Sequence, residues 1–166
     1  DNKGVTAVDC AFRECQARNG AGMCSMNTGA SNYAIRCLFK GNRCYKYGFG
    51  FRGGYCYNCI FDDNDFTRTA NGDKMTDGGI NSYGAICYSQ QIINCTIIGT
   101  ASIGIGSGNS NPPGGVRNCL LLHNGIGCLG SDVTTYSHCV SGDSTRTANG
   151  SFRADSPSAS TVNVPR

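Results

Sequence analysis

Ile92-Ile93-Asn94-Cys95-Thr96-Ile97 and Val116-Arg117-Asn118-Cys119-Leu120-Leu121 decide how this chain is read. Each places a polar residue directly before a cysteine and a large apolar residue two positions after it. Four further segments carry the same pattern: Ala7-Val8-Asp9-Cys10-Ala11-Phe12, Ala34-Ile35-Arg36-Cys37-Leu38-Phe39, Cys56-Tyr57-Asn58-Cys59-Ile60-Phe61 and Tyr136-Ser137-His138-Cys139-Val140-Ser141. With the cysteine as position 0, position +2 is Phe, Ile or Leu in five of six segments. Position +5 is small and polar in most: Asn42, Asn64, Thr100, Asn124 and Ser144, with Cys15 in the first segment.

The aligned cysteines are separated by 27, 22, 36, 24 and 20 residues. Repeats of this period belong to solenoids, in which each unit buries its apolar face only by stacking on the next. Positions 0 and +2 share one face of a strand, so stacking makes a column of cysteine and a column of Phe, Ile or Leu. The polar residue at −1 is expected at a bend, where asparagine tolerates left-handed backbone. The asparagine at +5 is expected to close a second bend and to hydrogen-bond along a ladder.

A second strand per repeat is visible where apolar residues alternate with glycine: Gly48–Phe51, Gly84–Cys87, Ile103–Gly106 and Gly125–Cys128. Bare positions of this kind suit a narrow interior. The expected fold is therefore all-β: a right-handed parallel β-helix of about six coils over 1–144. The 36-residue gap implies a polar insertion loop at about 62–79. Residues 145–166 are expected to form an irregular polar tail, with Thr161-Val162-Asn163-Val164 as a pairing strand. An antiparallel β-sandwich also has short strands, but it needs no cysteine at one fixed place in every repeat.

Composition agrees. Glycine is abundant (24 of 166 residues), tryptophan is absent, charged residues make up 15%, and Glu14 is the one glutamate. That balance opposes a helical fold. The net charge of +3 is too small, and the basic residues too scattered, to suggest nucleic acid. No run of about 18 apolar residues suggests a membrane-spanning helix. The opening Asp1-Asn2-Lys3-Gly4 reads as a processed product or a fragment, and an extracellular or cell-surface setting is expected.

The pattern apolar-x-Asn-Cys-x-apolar-x-x-(Asn/Thr), as at 92–100 and 116–124, resembles coils of the right-handed parallel β-helix superfamily with pectate-lyase-like architecture, in its non-catalytic repeat type. The resemblance covers roughly residues 5–144 and implies architecture rather than activity.

Twelve cysteines need an account. Cys56-x-x-Cys59 lacks the second Cys or His pair that zinc requires. The ladder cysteines Cys10, Cys37, Cys59, Cys95, Cys119 and Cys139 are expected as buried thiols, because stacked parallel side chains hold their Cβ atoms too far apart for easy bridging. Cys15, Cys24, Cys44, Cys56, Cys87 and Cys128 are the better disulfide candidates. Asp62, Asp63, Asp65 and Asp73 are a weak calcium candidate through oxygen ligands, and no other cofactor is expected. No catalytic constellation emerges. Asn94 and Asn149 head glycosylation sequons.

Two functions follow as expectations. The first is an extracellular structural protein whose coils associate head to tail into a fibre, surface layer or adhesin stalk. The second is a polysaccharide lyase or hydrolase, or a glycan-binding module, with Tyr45, Tyr47, Tyr55 and Tyr57 as stacking platforms.

Overall fold

The computed structural model describes residues 4–25, 32–66, 84–100, 103–106, 115–122, 124, 127–129, 136–141 and 152–153, with the backbone alone at 46–47, 87–88, 127–129, 141 and 152–153. Among the described residues the secondary structure is entirely β. The first repeat holds β1 (Thr6–Val8), β2 (Ala11–Arg13), β3 (Gln16–Asn19) and β4 (Met23–Cys24). The second holds β5 (Tyr33–Ile35), β6 (Leu38–Lys40) and β7 (Arg43–Tyr47), and β8 (Phe51–Tyr57) runs on into the third, with β9 (Ile60–Asp62) and β10 (Asp65–Phe66). There follow β11 (Gly84–Ile93), β12 (Thr96–Ile98), β13 (Ile103–Gly106), β14 (Val116–Arg117), β15 (Leu120–Leu122), β16 (Gly127–Leu129), β17 (Tyr136–Ser137), β18 (Val140–Ser141) and β19 (Phe152–Arg153).

The registers answer the question the repeat poses. Strands one repeat apart pair in parallel, like position on like position. Ala7 lies opposite Ala34, and Ala34 opposite Cys56. Phe12 lies opposite Phe39, Phe39 opposite Phe61, Phe61 opposite Ile97, and Ile97 opposite Leu121. The strands before each cysteine form one sheet, those after it a second, ordered β19-β18-β15-β12-β9-β6-β2, and β10-β7-β3 a third. This all-β arrangement of parallel sheets is compatible with a β-solenoid. The antiparallel pairing of a sandwich is not found among the described strands.

The interior is a file of side chains. Phe39, Phe61, Ile97 and Leu121 have no exposure, and rings 12, 39 and 61 stack with centroids 4.9 and 4.6 Å apart. The glycine-alternating strands supply the opposite wall, where Phe51 pairs with Ile86 and Ile86 with Ile105. The wall is close: a Cβ on Gly50 would lie 2.9 Å from the Phe61 ring. Gly54, at φ +93°, turns β8 from one arm of the first sheet into the other. A Cβ there would lie 2.0 Å from the Asn32 carbonyl oxygen. A smaller core joins Cys44, Phe49 and Phe66.

Three sequence expectations need adjusting at their edges. Asp62, Asp63 and Asp65 lie in β9, at a bend and in β10, within the stack rather than in a loop. The rest of the expected insertion, from 67, lies outside the described residues up to 83. Within the expected irregular tail, β19 pairs in parallel with β18; Thr161–Val164 lies outside the described residues.

Candidate functional site

The repeated corner is the most ordered chemical feature of the molecule. All six residues at −1 take left-handed backbone: Asp9, Arg36, Asn58, Asn94, Asn118 and His138, at φ 51–55°. A left-handed residue bends the strand, and outside glycine that backbone suits short polar side chains best. That geometry aims the following cysteine inward. Cys37, Cys59, Cys95, Cys119 and Cys139 are 0–3% exposed, whereas Cys10, in the repeat at the edge, is exposed.

Each thiol closes its own corner. The Sγ atoms of Cys10, Cys37, Cys59, Cys95, Cys119 and Cys139 donate to the carbonyl two residues back, at 3.1–3.4 Å. Five of them also lie 3.3–3.7 Å from a carbonyl of the preceding repeat: Ala7, Ala34, Cys56, Ile92 and Val116. The sulfurs accept in turn: the N–H groups of Cys37 and Cys59 point at Cys59 Sγ and Cys95 Sγ, both at 3.5 Å. Cysteine suits the place because it is small and apolar yet makes weak hydrogen bonds. Burial pushes the Cys37 thiol up, and donation to Cys119 together with burial does so for Cys139.

The second bend is held by amides. Asn42 Nδ2 donates to Phe12 O at 3.0 Å and Asn64 Nδ2 to Phe39 O at 2.9 Å. Asn124 Nδ2 donates to Ile97 O at 3.2 Å. Their Oδ1 atoms accept from the backbone N–H of Cys15, Asn42 and Thr100 respectively, at 3.0–3.2 Å. The rung at Thr100 is broken, because its buried Oγ1 makes no hydrogen bond. Asn32 is a buried clamp that the repeat did not flag; its Oδ1 accepts from Val5 N–H at 3.0 Å.

The remaining candidates are placed as follows. Asp62 pairs with Lys40 at 2.6 Å and Asp63 with Arg43 at 2.9 Å, so both carboxylates face cations of the preceding repeat. Asp65 is buried and Asp73 lies outside the described residues. Among the described residues no three His, Cys, Asp or Glu side chains converge as a metal site. Arg36 holds Asp9 through two hydrogen bonds of 2.7 Å, which lowers the Asp9 pKa.

Of the disulfide candidates, Cys15, Cys24 and Cys56 are unbridged thiols and Cys44 is buried in the smaller core. The Cys87 and Cys128 side chains lie outside the described residues. Cys56 sits at −3, on the inner face, and burial pushes its thiol well above the ordinary range. Asn94 is exposed at its corner; Asn149 lies outside the described residues.

The tyrosines form a ladder of their own. The Tyr33 and Tyr55 rings stack at 4.7 Å and 7°, with Tyr57 6.2 Å from Tyr55. Tyr57 donates to Gln91 Oε1 at 3.1 Å, and Tyr55 to Gln90 Oε1. Stacked this way, Tyr33 and Tyr55 each cover one face of the other's ring. Tyr45 receives a hydrogen bond from Gln16 at 3.2 Å, and the Tyr47 side chain lies outside the described residues.

No protein-family model, curated protein or solved structure matches this chain.

Proposed function

We propose that the chain is a right-handed parallel β-helix of about six coils, and that it serves as an extracellular structural protein. In this reading it is a self-associating subunit of a fibre, surface layer or adhesin stalk. The observation that carries it is the edge formed by β1, β2 and β3. Each of these strands pairs on one side only among the described residues, and Cys10 stands exposed where its counterparts are buried. An edge with this much unspent backbone is a template for another strand. A contact between unlike ends propagates as an open filament unless it closes into a ring.

The extracellular setting is supported by the sequon at Asn94, whose side chain is exposed at a corner. Electron microscopy of the purified 166-residue chain tests the assembly: filaments or stacked particles are expected. Monodisperse monomers at high concentration contradict it. The glycan-binding reading is favoured only by the tyrosine ladder. Under it, a panel of acidic polysaccharides should yield a binder, or a product with new reducing or unsaturated ends.

A further inference from the structure

We propose that the column of ladder thiols is a binding site for a soft monovalent cation of the copper(I) or silver(I) type, held in line between two successive sulfurs, and that it fills from the open end at Cys10 and Cys37. Spacing carries the argument. Val8 pairs with Ile35 and Ala11 with Leu38, so Cys10 and Cys37 stand opposite each other between them. The same register sets Cys37 opposite Cys59 and Cys59 opposite Cys95. It then sets Cys95 opposite Cys119 and Cys119 opposite Cys139. Successive coils lie one strand spacing apart, ~4.8 Å. A metal–thiolate bond is about 2.3 Å long, so two such bonds in line span ~4.6 Å. The step of the column is therefore the reach of one sulfur–metal–sulfur unit. A disulfide needs its sulfurs about 2.05 Å apart, so direct bridging requires the coils to move, and an inserted cation does not.

The donor set selects the cation. Thiolate is a soft ligand that favours copper(I) and its relatives over hard cations. Zinc takes four ligands in a tetrahedron, whereas each gap in a column offers two. On binding, two S–H bonds break, two sulfur–metal bonds form and both protons pass to solvent, which leaves the unit with a single negative charge. Within the column, backbone N–H groups already face the sulfurs: that of Cys37 points at Cys59 Sγ and that of Cys59 at Cys95 Sγ, both at 3.5 Å. As further gaps fill, each inner sulfur bridges two cations. The cations then always number one fewer than the thiolates, and the net charge does not grow.

The open end supplies the entrance. Cys37, Cys59, Cys95, Cys119 and Cys139 are 0–3% exposed. Cys10 is exposed, yet its thiol donates to the carbonyl two residues back at 3.2 Å, as its buried counterparts do. Its sulfur thus keeps the column position within reach of solvent, and Cys37 is the next sulfur inward.

Silver(I) is the probe, because it binds thiols without oxidising them. The reduced 166-residue chain receives one equivalent of silver nitrate in an excess of 2-mercaptoethanol, which strips silver from isolated thiols, and is then desalted. Native mass spectrometry should show one silver retained, and X-ray absorption should show two sulfur neighbours. Exposure governs how fast a cysteine is alkylated. With silver bound, Cys10 should react with N-ethylmaleimide at least tenfold more slowly than in the metal-free chain, while Cys15 and Cys24 keep their rates. Cys37→Ala removes the partner sulfur and leaves Cys10 in place. It should restore fast Cys10 alkylation in the silver-treated chain, with slow Cys95 showing that the column is still folded. Silver that is not retained overturns the proposal, as does silver bound by three or four sulfurs. A Cys10 rate that silver leaves unchanged, or Cys10 protection that persists in a folded Cys37→Ala chain, overturns it equally. If Cys37→Ala unfolds, seen as fast Cys95, the wild-type coordination number and Cys10 rate decide alone.

Discussion

At the scale of single residues, the corner is a backbone requirement met by polar side chains. Asn118 holds φ 51° and is exposed, so its side chain contributes little beyond tolerance of that conformation. Asn118→Gly should leave stability within about 0.5 kcal/mol. Asn118→Val, β-branched and ill-suited to left-handed backbone, should cost about 1–2 kcal/mol. Chemical denaturation of the two variants checks the difference. The corners at Asn58, Asn94 and Asn118 were legible in the sequence because asparagine before cysteine signals them. Arg36 and His138 were legible only through their alignment with those three. Glu14, also left-handed at φ 52°, was not legible, since nothing about a glutamate suggests that backbone.

Cys56 gives the pH dependence its sign. Its folded pKa is raised by complete burial, so the unfolded chain loses this proton first as pH rises. The stability it allows is fully present below the unfolded pKa, about 8.5. It declines at about 1.4 kcal/mol per pH unit above that, until the folded thiol ionises. Cys56→Ala should remove this part of the alkaline slope, at the cost of a small cavity. Denaturant midpoints between pH 7 and 10 for both proteins test it; identical slopes would exclude it. The sequence grouped Cys56 with the possible disulfide formers because it stands off the ladder. Strand alternation puts it on the inner face, a position type that the repeat pattern did not separate from the rest.

At the scale of elements, the asparagine ladder explains why the second bend recurs at +5 and where it is faulty. Thr100 can neither reach the Phe61 carbonyl as an amide would nor find a partner for its own Oγ1. Thr100→Asn should restore an Nδ2 donor toward Phe61 O and an Oδ1 acceptor toward Asn64 N–H. Each hydrogen bond is worth about 1 kcal/mol net, so the denaturation midpoint should rise; an unchanged or lowered midpoint would contradict the ladder. The alternation of apolar residue and glycine marked β13 and the first arm of β11, whereas at Gly48–Phe51 only Phe51 belongs to a strand, Phe49 and Gly50 forming a bend before β8. It could not reveal the register shift between Ser89 and Gln91 in β11. A shift of that kind depends on how an inserted segment rejoins the stack, and local pattern carries no trace of it.

At the scale of the molecule, a stack of like units tolerates loss of a whole unit far better than loss of part of one. Deleting residues 38–59 joins Cys37 directly to Ile60, the residue that follows the next ladder cysteine, and keeps every column in phase. That chain should remain a soluble parallel-β protein with a lowered midpoint. Deleting residues 38–48 puts Phe49 after Cys37, breaks the phase and should yield no folded protein. Circular dichroism and sedimentation distinguish the outcomes. The overall architecture was legible because the repeat fixes which strands pair. The ends were not, because a repeat says what stacks on what and is silent where there is no next unit.

The central claim is that the ladder segments lie one above another in parallel, sharing one inner wall. Nuclear Overhauser contacts of the Phe39 ring test it most directly, in solution or in the solid state. The rings of Phe12 and Phe61 stand 4.9 and 4.6 Å from it, on opposite sides, so Phe39 should show cross-peaks to both. Cross-peaks from Phe39 to an antiparallel neighbour, with none to either ring, would contradict the account.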